Sequence, residues 1–412
     1  METMIERCCG IDVHKRTIVV CLLVGPRGEK PQVTIKSFPT LTRELLACRD
    51  WLVSAGCTHV VMESTGVYWK PVFNILEDSL EVILAHARQV KHLPGKKTDV
   101  QDCQWLAELL RHGLVKGSFI PPKPIRELRD LTRYRQKLIQ QRSSEINRLQ
   151  KFLEDANIKL ASVVTDIQGV SAQQMIRHLI EEDLTVPEMA QLAKGRLRTK
   201  MEVLEQSLEG YLTDHHRLLL KLALQMIASY DENLEALNGE IEKRMEPHRE
   251  TAERLATIAG VKKKTIESLI AEIGVDMSRF PTHGHLAAWA GVCPGNNQSA
   301  GKRKSGKTPP GNKWLKRTLA EAALAASRKK DSYLKDRFRR LAARRGKKRA
   351  ILAVAHSILI IAYHVIKEQS TYLELGAVYF DRLNEHRLIT RLKSRMEALG
   401  YKVDLEKLPE AA

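Results

Sequence analysis

The chain has 412 residues, 43% hydrophobic, 28% charged and only 5% aromatic, with a formal net charge of +18. That length predicts two to four domains, and a core so poor in aromatics must rest on Leu, Ile, Val and Ala, which favours helix. The seven cysteines are odd in number, scattered, and form no C-x-x-C pair. A zinc site and a disulfide framework are therefore set aside, and the thiols read as reduced. Residues 1–10 are polar and carry two acids, unlike a secretory leader. The most apolar stretch, 350–365, is short for a membrane span and holds His356, Ser357, Tyr363 and His364, so it reads as a buried helix.

Residues 9–13 and 17–24 are β-branched runs around a His14-Lys15-Arg16 turn, and 32–38 alternates as a third strand. Residues 41–55 have helical spacing with Thr40 as N-cap. A short strand at 59–64 leads through the turn Thr65-Gly66 into a helix ending near Asp78. Residues 81–85 form a further strand, and 99–112 a helix stopped by Gly113. This order, an antiparallel start followed by βαβα, predicts a mixed sheet with helices packed on it. Pro121-Pro122-Lys123-Pro124 is a stiff break and the first domain boundary. Beyond it, 125–157 lacks Gly and Pro, with Leu128, Leu131, Leu138, Leu149 and Phe152 on one stripe that Arg135, Arg142 and Glu145 interrupt. A second helical stretch, 201–244, places Leu204, Leu208, Tyr211, Leu218 and Leu222 on one face. The pair predicts an antiparallel coiled-coil arm. From Leu255 a helix, a tight turn at Gly260 and a helix through Ile273 resemble a helix-hairpin-helix, whose turn amides can meet a phosphate. Residues 289–311 are glycine-rich without periodicity, as functional loops often are. Helix returns from Asn312 past Arg349, and 367–412 reads as a helical tail with a turn at Gly400-Tyr401.

The charge is concentrated. Positions 302–349 carry 19 Lys or Arg against three acids, nearly all of the excess. A localised basic face is the footprint of a polyanion. Lys302, Arg303, Lys304, Lys307, Lys313, Lys316 and Arg317 are the candidate nucleic-acid contacts.

Four carboxylates carry the chemistry. Asp12 lies inside Gly10-Ile11-Asp12-Val13, and an acid in an apolar strand is costly unless compensated. Glu63 repeats the anomaly in Val60-Val61-Met62-Glu63, and both positions are expected to meet at one edge of a sheet. Asp99 and Asp102 stand three apart, on one helix face, although Asp99 alone also reads as a first-turn acid. Hard cations that serve phosphoryl transfer need several oxygen ligands, and a pair about 3.5–4 Å apart shares such a set. Asp12, Glu63, Asp99 and Asp102 are thus candidate metal holders against a phosphate backbone. His14 is an alternative ligand but reads first as a turn residue or phosphate contact. Lys91, Lys96 and Lys97 suit a backbone contact nearby.

Taken together these residues resemble a known family. Gly10-Ile11-Asp12-Val13-His14-Lys15 looks like the first acid motif of the RuvC-like, retroviral-integrase-type nuclease fold. Met62-Glu63-Ser64-Thr65-Gly66-Val67-Tyr68-Trp69 and Lys97-Thr98-Asp99-Val100-Gln101-Asp102 resemble the next signatures of one branch, the DEDD transposases of the insertion-sequence-one-hundred-and-ten family. Ile258-Ala259-Gly260-Val261, Leu286-Ala287-Ala288-Trp289-Ala290-Gly291, Pro294 and Asn297-Gln298-Ser299-Ala300-Gly301-Lys302-Arg303 look like its second transposase domain. Ser305-Gly306-Lys307 and Gly311-Asn312-Lys313-Trp314-Leu315 extend the likeness in the manner of its "eleven-eleven" subgroup. The resemblance covers roughly 8–115 and 255–365.

The resemblance implies an α/β RuvC-like (RNase H-like) mixed-sheet domain over 1–120. A helical coiled-coil arm would follow over 121–250, then a mainly α serine transposase domain over 251–365 with the helix-hairpin-helix-like element, and a helical tail over 366–412. It implies a DNA recombinase guided by a structured bridge RNA that pairs with donor and target DNA. Ser299 would attack a DNA phosphate and leave a phosphoserine link and a free 3′-hydroxyl, while the four acids hold Mg2+, two ions by preference. A serine hydroxyl is a weak nucleophile, so the acid site must activate Ser299; Lys302, Arg303 and Lys304 suit charge stabilisation beside it. Ser305 is its internal rival, and Ala300 stands where many members have glycine. Dimers, tetramers at synapsis, a bacterial cytoplasmic location (on the nucleoid when acting) and no membrane partner complete the expectation. The rival readings are a metal-dependent nuclease or junction resolvase that uses water, and a non-catalytic nucleic-acid-binding scaffold.

Overall fold

Period-two alternation organises the N-terminal third. In the computed structural model, which describes residues 4–64, 66–85, 98–295 and 297–405, the chain divides into two units, Met1–Ile120 and Pro121–Ala412. The first is built on a five-stranded sheet of β1 (Arg7–Val13), β2 (Thr17–Val24), β3 (Gln32–Pro39), β4 (His59–Glu63) and β5 (Glu81–Ala85), in the order β3-β2-β1-β4-β5. β1–β2 and β2–β3 pair antiparallel, β1–β4 and β4–β5 parallel. The mixed sheet expected from the element order is therefore present. Its helices are α1 (Thr42–Ser54), α2 (Trp69–Leu76) and α3 (Asp99–Arg111).

Because successive side chains point to opposite faces, β1 and β2 feed two cores. Cys9, Ile11, Val20, Leu22, Val60 and Met62 meet Leu45 and Leu52 of α1 and Val72, Phe73 and Leu76 of α2. Cys8, Val19, Cys21, Leu23 and Val61 meet Cys103, Leu106, Ala107 and Leu110 of α3. Coverage on both faces explains why these strands read as unbroken apolar runs. Six of the seven free cysteines are buried here. Burial pushes the Cys8 thiol up to about 11 and those of Cys48 and Cys57 up to about 12.

Thr40 does not cap α1. The N-cap residue is Leu41, without a side-chain bond. Thr40 instead donates its hydroxyl to the Lys15 carbonyl at 2.8 Å, and its N–H goes to Arg16 O. The side chain is drawn off by the neighbouring turn.

In the second unit, α4 (Lys123–Asp155) starts with Pro124 in its first turn, where a missing N–H costs nothing. It lies antiparallel to α9 (Asp214–Met245): Arg244 bonds Glu127, Arg135 Nη1 reaches Asn238 Oδ1 at 3.1 Å, and Arg142 forks onto Asp231 at 2.6 and 2.9 Å. Two of the charged interruptions of the apolar stripe are thus cross-helix partners, and the third, Glu145, pairs with Arg148. Between them α5 (Leu160–Val163), α6 (Val170–Glu181), α7 (Val186–Gln191) and α8 (Met201–Leu208) close a small core with the ends of α4 and α9. The continuous helix expected over 201–244 is broken at 209–213. A Cβ on Gly210 would stand 2.6 Å from the Ala156 carbonyl, so the chain must turn there, and α9 restarts under a Thr213–His216 capping box. The restart shifts the register: Leu220, Ala223 and Ile227 are buried, while Tyr211, Leu218 and Leu222 are exposed.

The remaining elements are α10 (Arg249–Ala256), α11 (Lys263–Ile273), α12 (His283–Ala290), β6 (Asn297–Ser299), β7 (Lys302–Ser305), α13 (Lys313–Ala326), α14 (Tyr333–Arg345), α15 (Lys347–Lys367), α16 (Tyr379–Leu383) and α17 (Glu385–Ala398). Gly260, at φ +82°, joins α10 to α11; a Cβ there would stand 2.4 Å from Ala322 O and 2.6 Å from Ala326 N. The turn is therefore a close-packing point against α13. By length and composition α15 passes for a membrane span, but half of its apolar window is buried, and Val354, Ile358, Leu359 and Ala362 pack inside the unit.

Candidate functional site: four acids and a serine hairpin

The position of α3 sets the acid site. Gly10 lies under it so closely that a Cβ would stand 2.1 Å from the Cys103 carbonyl oxygen and 2.5 Å from Ala107 N. Only glycine admits a helix backbone at that range. At its far end the buried Arg111 guanidinium donates to the carbonyls of Glu6, Gly25 and Pro26 at 2.9–3.2 Å. So pinned, α3 presents its first turn to the carboxyl end of β1. Thr98 caps that turn, its hydroxyl accepting from Gln101 N, and negative charge is favoured there.

Asp12 shares the sheet face of Cys8 and Gly10, beneath α3. The parallel register Ile11↔Met62 puts Glu63 level with Asp12 on the neighbouring strand, on the face of Val61. Both acids thus stand at the carboxyl ends of adjacent parallel strands, where open α/β sheets bind ligands. His14, two residues beyond Asp12, keeps the same face. Its Nε2 lies 3.1 Å from Asp12 Oδ2 and 3.3 Å from Asp99 Oδ1. Asp12, His14 and Asp99 offer ligand atoms all within 4.8 Å of one another. Asp102 lies on the same face of α3. Burial raises the Asp12 carboxyl above its ordinary 3.8; Asp99 and Asp102 push it further up, and His14 pulls it down. Asp12 is 18% exposed and Asp99 60%, so the group opens outward from the sheet.

This donor set suits a hard divalent cation. Carboxylates crowded where they repel one another are stabilised by a cation among them; their oxygens suit magnesium- or manganese-type ions, whereas an imidazole is the ligand type of softer divalent metals. From the sequence His14 is an alternative ligand that reads first as a turn residue or phosphate contact; the structure sets it between Asp12 and Asp99. The spacing Asp12-x-His14 at a strand end was the signal, since period two brings both side chains to one face. Lys91, Lys96, Lys97 and Thr65 lie outside the described residues.

Residues 291–295 and 297–311 belong to a zipped hairpin, where the sequence shows only an irregular loop over 289–311. Gly291 and Gly311 face each other at its neck, where a Cβ on Gly311 would stand 2.4 Å from Gly291 N; further out a Cβ on Gly295 would stand 2.4 Å from Lys307 O. Beyond that β6 and β7 pair antiparallel, Asn297↔Ser305, Gln298↔Arg303 and Ser299↔Lys302, with a bulge between Asn297 and Gln298. The glycines are thus points of close backbone approach. At the tip Ala300 (φ +49°) and Gly301 (φ +73°) are both left-handed, as a two-residue hairpin turn of the I′ kind requires. Ser299 is the last residue of β6, directly before this turn. Ala300 holds a conformation that disfavours a Cβ.

Asn312 anchors the hairpin base. Its side chain accepts from Trp314 N and Leu315 N, capping α13, and donates to Glu272 of α11. Buried Glu272 also takes Arg133 of α4 at 2.6 and 2.7 Å, and buried Glu267 takes Arg135 at 2.6 Å. Ser305 lies in β7 across from Asn297, and its Oγ accepts from Lys307 N at 3.1 Å.

A DEDD-type transposase model of IS110 matches residues 9–158, and the model described as "Transposase IS116/IS110/IS902 family" matches 252–339. Together they span more than half of the chain, in order. The chain belongs to the IS110 transposase family. It is 24% identical to the pilin gene-inverting proteins of Moraxella bovis and Moraxella lacunata, over 88% of this chain and 96% of each relative. It is 25% identical to the transposase for insertion sequence element IS1111A of Coxiella burnetii (strain RSA 493 / Nine Mile phase I), over 78% of this chain and 80% of that protein. An IS110-family transposase is an enzyme that acts on DNA, so a non-catalytic scaffold drops out.

Within this IS110 transposase the basic residues divide. Lys302 and Lys307 are exposed on the hairpin; Arg303 and Lys304 lie in β7. Lys313 sits 5.4 Å from the Trp314 ring centroid. Lys316 Nζ donates to Thr308 Oγ1 at 2.9 Å, and exposed Arg317 pairs with Glu321.

Proposed function

We propose that this IS110-family enzyme is an RNA-guided DNA recombinase that cuts and rejoins DNA through a phosphoserine at Ser299, with Asp12, Glu63, Asp99 and Asp102 holding Mg2+. The observation that carries the reading is the pairing of two unlike features in one chain. One is the cluster of Asp12, His14 and Asp99 at the carboxyl end of β1, with Glu63 at the end of the neighbouring β4; the other is a serine at the tip of a glycine-zipped hairpin, next to a left-handed non-glycine residue. Backbone held in a disfavoured conformation is concentrated at functional positions.

In this mechanism Asp12 and Glu63, fixed on strands, and Asp99 and Asp102, fixed on α3, would hold the metal through their carboxylates, and His14 orients Asp12 and Asp99. The bound ion supplies charge neutralisation at the phosphate and lowers the cost of ionising the attacking hydroxyl. The Ser299 oxygen bonds to phosphorus and loses its proton. The bond from phosphorus to the 3′ oxygen breaks, and that oxygen takes up a proton to become a free hydroxyl. Lys302, Arg303, Lys304 and Lys307 follow the attacking residue in sequence and offset developing phosphate charge, while Lys313, Lys316 and Arg317 bind backbone. Rejoining is the reverse step on a second DNA. The relatives named for inverting a pilin gene support rejoining over hydrolysis, since inversion conserves every phosphodiester bond.

A structured guide RNA and donor and target DNA are the expected partners, with dimers that become tetramers at synapsis. The four-part division at 120, 250 and 365 and a cytoplasmic location belong to the same proposal. The test is a reaction with the RNA from the flanking element on a donor–target DNA pair. Wild-type protein should yield a covalent protein–DNA adduct that requires both RNA and divalent metal. Ser299→Ala should give none, with folding stability within about 0.5 kcal/mol of wild type. Free 5′-phosphate ends in place of adducts would instead establish a water-using nuclease.

A further inference from the structure

Within the basic stretch 302–349 the candidate contacts end at Arg317, and the arginines of α14 that follow have no assigned role. Helix α14 contributes Arg339, Arg340 and Arg344, and α17 contributes Arg387 and Arg391, to the walls of a groove of about 740 Å3 that Ala343, Phe380, Asn384 and Leu388 complete. The spacing 384, 387, 388, 391 puts the N-cap residue Asn384 and Arg387, Leu388 and Arg391 of α17 on one helix face.

The groove is built, and its own acids are committed. Arg340 Nε binds Asp336 Oδ2 and its Nη2 binds Asp381 Oδ1, both at 2.5 Å, clamping α16 to α14. Tyr333 stacks on Phe380 with ring centroids 5.1 Å apart and reinforces the clamp. Arg339 shares Asp336 at 2.9 Å. Arg344, Arg387 and Arg391 pair with no carboxylate among the described residues. Guanidiniums on opposing walls repel one another, and a polyanion between them reverses the sign of that interaction. Their planar forks match phosphate oxygens.

We propose that the groove between α14 and α17 seats the sugar-phosphate backbone of a nucleic-acid strand, with Arg344, Arg387 and Arg391 each taking a phosphate. This site shares no residue with the acid cluster, the serine hairpin or the 302–317 contacts, and it stands whether or not Ser299 is the nucleophile.

Equilibrium binding of the full chain tests it. Fluorescence anisotropy over a potassium chloride series would be run with a short duplex DNA and, separately, a single-stranded RNA. Each phosphate contact contributes about 0.9 to the slope of log affinity against log salt for duplex DNA and about 0.7 for a single strand. The double variant Arg387→Gln/Arg391→Gln should flatten the slope by roughly 1.4–1.8 on the polyanion that uses the groove, and Arg344→Gln by roughly half of that. Lys393→Gln, on the opposite side of α17, should leave the slope unchanged. A change on duplex DNA alone makes the ligand DNA, and a change on RNA alone makes it RNA. Should the α17 variant misfold by circular dichroism, Arg344→Gln on the facing wall decides. Wild-type slopes for folded variants on both polyanions would overturn the proposal.

Discussion

At the scale of single residues, Asp12 carries the opposing demands of the site. Burial and the neighbouring acids raise its carboxyl, so the folded chain keeps this proton to a higher pH than the unfolded chain does. The stability contributed by the protonated form is fully present below the ordinary 3.8 and is lost as pH rises through the raised folded value. Near neutral pH the metal-free protein therefore carries an unfavourable charge. Asp12→Asn should raise the melting temperature of chelator-treated protein at pH 7 while abolishing DNA cleavage. Adding Mg2+ should raise the melting of wild type and leave the variant nearly unmoved. A lower melting temperature for the metal-free variant would show that Asp12 is already compensated. For His14→Ala the expected outcome is weaker metal binding by calorimetry with adduct formation reduced and not abolished, since four carboxylates remain.

Among elements, α3 and the serine hairpin show what sequence could and could not disclose. The strands and the i, i+3 acids were legible because apolar runs and helical spacing are local signals. That Asp12 and Asp99 share a site was expected from residue type alone; what brings them together was not legible, because it depends on a helix crossing β1 at Gly10, a contact between residues about ninety positions apart. Gly10→Ala should force α3 outward, cost about 1–3 kcal/mol in denaturant unfolding as overpacking does, and remove activity without touching a ligand. A variant as stable and active as wild type would disprove this account of how the site is positioned. The hairpin was hidden for the opposite reason: its glycines look like disorder until their opposite numbers across the strands are known. In α9 the apolar face was misassigned because Gly210, pressed on the end of α4, resets the helical register, and a periodicity count through 201–244 cannot see the reset.

On the scale of the whole molecule, the family signatures fall in both units while the helical stretch between them was legible only as a type of structure. The first unit owns two apolar cores, one on each face of its sheet, and both are complete within 1–120. Residues 1–120 expressed alone should therefore unfold cooperatively in urea. A broad, non-cooperative transition would show that the sheet needs the rest of the chain. In the second unit, buried Arg–Glu pairs replace an all-apolar seam between α4 and α11. Such pairs add little net stability but are costly to break singly, so Glu272→Gln should destabilise by about 3 kcal/mol or more.

The distribution of thiols has a practical consequence. Six are buried in the two cores that flank the sheet, and Cys293 alone is half-buried, six positions before Ser299 on the glycine-zipped hairpin. A maleimide dye applied briefly to the native protein should mark Cys293 alone. The wild-type chain thus comes with a single optical reporter on the hairpin that carries Ser299, and DNA engagement there becomes visible in real time without engineering a cysteine.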